Sequence, residues 1–148
     1  MSDDLSTSIE NLRTTASQLN EITDYLNVTV KTVEKILGEE LKIGISAYVS
    51  VDSETDDTTG ATITQFLGYQ RVGGNFRIVV LWENDFHPDR PAVKPWSDCA
   101  RDMKIETAEK LPQLIQEISN KSKDSIRGVL HAAQTAERVM KSLLGKEA

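Results

Sequence analysis

Residues 61–83 read ATITQFLGYQRVGGNFRIVVLWE, and this stretch decides the fold. Two runs of β-branched, aromatic and aliphatic residues flank Gly73-Gly74. Glycine accepts positive φ without a Cβ clash, so the pair marks a tight hairpin turn. In the first run, residues 61–72, Ile63, Leu67 and Tyr69 lie at alternating positions. In the second, residues 75–83, Phe76, Ile78, Val80 and Trp82 share one face. A period of two is that of a strand with one face buried. The short link makes the two strands antiparallel neighbours.

Working upstream, residues 43–52 keep the same period. Ile43, Ile45, Ala47, Val49 and Val51 fall on one face, and Ser46, Tyr48 and Ser50 on the other. A Thr-rich acidic loop from Asp52 to Gly60 joins this segment to the next, so a three-stranded meander is expected over residues 43–83. Before it, residues 5–37 carry Leu5, Ile9, Leu12, Ala16, Leu19, Leu26, Val30, Val33 and Leu37 in heptad phase, interrupted only at Thr23. That spacing predicts a long helix ending near Gly38, about 50 Å in length. Its weak point is the β-branched segment at Asn27-Val28-Thr29-Val30.

Downstream, residues 84–95 hold Pro88, Pro91 and Pro95, which predicts an irregular connector. Helical spacing fills residues 97–144. A stripe of Ile105, Ala108, Leu111, Ile115 and Ile118 meets Pro112, where the helix is expected to kink or restart. A further break is expected at residues 120–122. A second heptad run follows, with Ile126, Val129, Ala133, Ala136, Met140 and Leu143. The expectation is one α+β domain over residues 1–148: a long N-terminal helix, a three-stranded antiparallel meander, and two or more C-terminal helices packed on the sheet.

Composition narrows the function. Hydrophobic residues make up 39% and charged residues 27%, a mixture that builds a core. The net charge is −6, and no run of basic residues is present, which disfavours nucleic-acid binding. An acidic surface suits a basic protein partner instead. No apolar run reaches the ~20 residues of a membrane span. The start of the chain has no secretory pattern, and Cys99 is the single cysteine, so a cytoplasmic location is expected.

Candidate chemistry is sparse. Asp52, Glu54 and Asp56 alternate like the first ligands of a calcium loop, but Asp57 stands where such a loop needs glycine and Ile63 where it needs glutamate. Glu83, Asp85, His87 and Asp89 fall on one side of an extended chain, and Asp85, His87 and Asp89 are the candidate ligands of a metal-assisted hydrolase. Pro88 disturbs that geometry. No nucleophile elbow or phosphate-binding loop is present, and no cofactor is expected. Cys99 lies near a helix start, where a thiolate is favoured, but a lone cysteine is more often buried and inert. His131 reads as a residue of the helix surface. Trp82, Arg90, Trp96 and Arg101 are residue types favoured in recognition patches.

The heptads are the strongest signal. They point to a non-enzymatic binding or assembly module, self-associating through Leu5, Ile9, Leu12, Leu19 and Leu26. The alternatives are a small acidic inhibitor of a basic enzyme and the metal-assisted hydrolase.

Overall fold

The computed structural model describes residues 2–145; residue 1 and residues 146–148 of the expected domain lie outside them. The architecture is α+β. Helix α1 (Ser2–Lys35) passes through a wide helical turn (Ile36–Glu40) into an antiparallel sheet. The sheet has four strands: β1 (Ala47–Thr55), β2 (Thr62–Val72), β3 (Asn75–Asn84) and β4 (His87–Pro95). A short 3₁₀ turn (Trp96–Asp98), helix α2 (Arg101–Ala108) and helix α3 (Leu111–Leu143) complete the chain. Strand order is β1-β2-β3-β4, a meander.

Register shows why one face is buried. Ala47 sits opposite Tyr69 and Val49 opposite Leu67. Leu67 in turn faces Val80, and Tyr69 faces Ile78. These residues share one face, as the period of two requires. Ala47, Leu67, Tyr69, Ile78 and Val80 are all fully buried. Helix α3 closes over them with Leu114 and Ile118, α1 with Val30, and the wide turn after it with Leu37. Ile43 and Ile45 precede β1 and do not join the sheet. The expected strand over 43–52 therefore starts later, at Ala47, and runs further, to Thr55. Lys42, at φ 52°, reverses the chain before it.

The irregular connector expected over residues 84–95 is instead the edge strand β4. The reason lies in which N–H groups face the sheet. The Ile78 N–H donates to a side chain of α1 and so points away from β2. By alternation Val80 and Trp82 also turn toward β4, where they meet Lys94 and Ala92. Pro91 and Pro95 fall on the opposite parity, so their nitrogens, which have no hydrogen to donate, face outward. An edge strand tolerates proline at just such positions.

Two expected helix breaks are also absent. Helix α1 continues through Asn27, whose side-chain oxygen accepts a hydrogen bond from Lys104 Nζ at 2.9 Å. Gly38 does not end the helix in a left-handed turn; it lies inside the wide turn. Pro112 starts a new helix, where its missing N–H costs nothing. That helix then runs unbroken past residues 120–122, with Ser122 Oγ donating to the Ile118 carbonyl at 2.7 Å. Ile105 and Ile115 of the expected stripe are exposed, and Leu114 takes the buried position.

Leu114→Ala is expected to destabilise the protein by about 2–5 kcal/mol, because it removes a fully buried side chain from the α3–sheet contact. Denaturant unfolding of both proteins checks this.

Candidate functional site

The heptad residues of α1 divide into two groups. Every residue from 3 to 22 is exposed, and Leu5, Ile9, Leu12 and Leu19 lie among them. Leu12 is 66% exposed although it sits on the apolar stripe. Leu26, the fifth candidate interface residue, is partly buried and packs against the core. Val30, Val33 and Leu37 continue the same stripe into the core. One continuous apolar face is thus used at its C-terminal end and bare at its N-terminal end. Helix α3 repeats this in reverse. Leu114 and Ile118 are buried, while every residue from 123 to 140 is exposed, Ile126, Val129 and Met140 included. The bare half of α3 was not among the candidate interface residues. Its signal was the second heptad run, read as packing on the sheet.

What anchors α1 is Glu34. Strand β4 ends at Pro95, opposite Val79, so Ile78 has no strand partner on that side. The Glu34 carboxylate accepts the Ile78 N–H at 2.8 Å and lies 3.8 Å from Arg77 Nε. It therefore takes the place of a missing strand. Nearby, the Trp96 indole N–H donates to Thr107 Oγ1 at 3.0 Å, and the Lys104 ammonium lies 5.2 Å from the Trp96 ring centroid. The buried Lys104 side chain is thus held by an amide oxygen and an aromatic face.

These contacts place the expected recognition patch. Trp96 is buried in the core. Trp82 is partly buried on the edge of the same core. Arg101 donates to Asn20 Oδ1 of α1 at 3.1 Å, and Arg90 lies exposed on β4. With Trp96 turned inward, the four residues do not form one exposed patch.

Asp85 lies in the turn between β3 and β4, and His87 and Asp89 are on β4. The Asp85 carboxylate accepts the Thr62 N–H at 2.8 Å, extending the ladder between β2 and β3. Among the described residues no group of three His, Cys, Asp or Glu side chains is placed to hold a metal ion. The first half of the expected acidic loop, Asp52 to Thr55, is the end of β1, with Asp52 opposite Gln65 and Glu54 opposite Ile63. Only the part from Asp56 onward forms the β1–β2 tip, where Asp56 Oδ1 accepts the Thr58 N–H at 2.8 Å.

Two further surfaces are built by the fold. A cleft of about 580 Å³ opens between the end of α1 and the β2–β3 turn. Lys31, Lys35, Lys42, Arg71 and Arg77 line it, against Glu34 and Glu39. This basic cluster comes from three separate segments, so no basic run in the chain announces it. On the sheet face away from the helices, Tyr48, Phe66 and Leu81 border a hollow of about 250 Å³. The Tyr48 ring lies on Gly68, where any Cβ would collide with it.

Burial raises the pKa of two groups. Tyr69 is pushed up mainly by desolvation and further by the negative Glu34. Its hydroxyl donates to the Ile43 carbonyl at 2.9 Å. Cys99 is raised by burial, an effect that Lys94 and Lys104 oppose. Its thiol is therefore protonated and shielded, which is the inert reading.

No protein-family model matches the chain, and no curated protein or solved structure shows significant similarity to it. Among the described residues no helix is long and apolar enough to cross a membrane.

Glu34→Ala leaves the Ile78 N–H without its acceptor and is expected to cost about 1–3 kcal/mol in denaturant unfolding. Glu34→Gln, which keeps an acceptor, should cost less. A thiol reagent is expected to label Cys99 at least about tenfold more slowly in the native protein than in urea, since the thiol is buried and its thiolate disfavoured.

Proposed function

We propose that this protein is a non-enzymatic assembly module that self-associates through the bare halves of its two long helices. The observation that carries this is that every residue from 3 to 22 and from 123 to 140 is exposed despite the heptad stripes, with Asn20 tied to Arg101 of α2. A helix segment of ~20 residues that packs on nothing is marginal in water. Its stability comes from covering an apolar face. Monomeric proteins rarely expose apolar patches of more than a few hundred Å². A second copy of the chain offers stripes of matching length and pattern. Leu5, Ile9, Leu12 and Leu19 are the contact residues on α1, and Leu26 marks where the stripe enters the core.

A second reading is an acidic protein that binds a basic enzyme. The net charge of −6 favours it, as do the exposed Asp52 and Glu54 at the end of β1 and Asp56 and Asp57 in the turn that follows. Such a complex weakens as salt rises.

Light scattering during size-exclusion chromatography, over a range of concentrations, tests the first reading. The wild-type chain is expected to run as a dimer or larger species. Leu12→Glu combined with Leu19→Glu should run as a monomer with the near-ultraviolet signal of Trp96 unchanged. A wild-type chain that stays monomeric at every concentration rejects the assembly reading.

A further inference from the structure

The two bare arms carry opposite charge. From residue 2 to residue 22, Asp3, Asp4, Glu10 and Glu21 stand against Arg13, a net of −3. From residue 121 to residue 144, Lys121, Lys123, Arg127, Arg138 and Lys141 stand against Asp124 and Glu137, a net of +3. Of this, the stretch exposed throughout, 123–140, carries +1, and Lys121 and Lys141 at its ends carry the rest. The division is hidden in the overall charge of −6. Within one chain neither stripe is covered, so the acidic and basic arms do not satisfy each other there.

We propose that the acidic arm of α1 packs along the basic arm of α3 from a second copy, and reciprocally; this rests on the assembly reading above. Like-with-like pairing would set −3 against −3 and +3 against +3, whereas unlike pairing brings opposite fields together. Stripe widths agree with this. On α3, Leu130 and Val139 flank the heptad positions, and Leu144 follows its last turn, so its apolar face is broad. A broad stripe belongs to a bundle in which one helix touches more than one neighbour. On α1 three of the flanking positions, Ser6, Ser8 and Thr15, are small and polar, which lets a bulkier helix approach there, while Arg13, Asn20 and Ile22 occupy the others. Two chains contribute four arms, enough for one closed bundle. The Lys141–Glu137 pair, at 3.2 Å, and the Arg138 bond to Thr135 Oγ1, at 3.5 Å, lie along α3 itself.

The test is the dissociation constant of the assembly at low and high salt, for the full chain and charge-reversed variants. Unlike pairing predicts weaker association at high salt. Asp4→Lys with Glu10→Lys should raise the dissociation constant about tenfold at low salt. Lys123→Glu with Arg127→Glu should do the same. Combining all four changes should recover part of the loss, because the sign relation between the arms is restored. Association that strengthens at high salt, or with the α1 reversal alone, would show like-with-like pairing and overturn the proposal. So would association indifferent to all four changes. In each of these overturning cases the assembly reading survives; a chain that is monomeric in every condition removes that reading as well.

Discussion

An apolar stripe on a helix has to be covered, and the sheet of this protein can cover only one end of each long helix. Strands of 9–11 residues make a surface of about 30–37 Å, whereas α1 and α3, at 34 and 33 residues, are each about 50 Å long. Everything else follows from how that shortfall is arranged. Helix α1 gives its last turns to the core and α3 its first turns. The sheet gets its cover, and the surplus of both helices is left at their outer ends.

The contact that decides where α1 sits is polar. An apolar face slides along another at little cost, but a carboxylate that accepts one backbone N–H is fixed in place. Glu34 on Ile78 supplies that fix, at a point where β4 has already turned away. Arg101 and Lys104 of α2 add two more polar ties, to Asn20 and Asn27. Helix α1 is thus held along one side by hydrogen bonds while its stripe meets the core with Leu26, Val30, Val33 and Leu37.

The meander around Gly73-Gly74 was legible because its signals are local: a turn pair and strict alternation through Leu67, Tyr69, Ile78 and Val80. The fourth strand was not, since three prolines suppress any strand reading until it is known that Pro91 and Pro95 point off an edge. That is a tertiary fact. Heptad phase revealed α1 and the outer half of α3, though not that α3 runs on through residues 120–122, and phase alone cannot say which part of a stripe is buried. Leu26 and Leu12 look alike in the sequence and differ only in what lies opposite. Trp96 misled in the same way, because a tryptophan favoured at interfaces is equally at home in a core. The basic cleft was invisible because Lys31, Lys42 and Arg71 meet only after the sheet has formed.

The meander also sets an order of events. Each strand pairs only with its sequence neighbour, so the sheet closes through short loops and pays little chain entropy for each step. The ties of α1 are of another kind. Glu34 reaches 44 residues along the chain to Ile78, Asn27 reaches 77 to Lys104, and Asn20 reaches 81 to Arg101. Contacts of that separation close long loops and are slower to form. Topology thus favours pairing of the strands before the N-terminal helix docks on them.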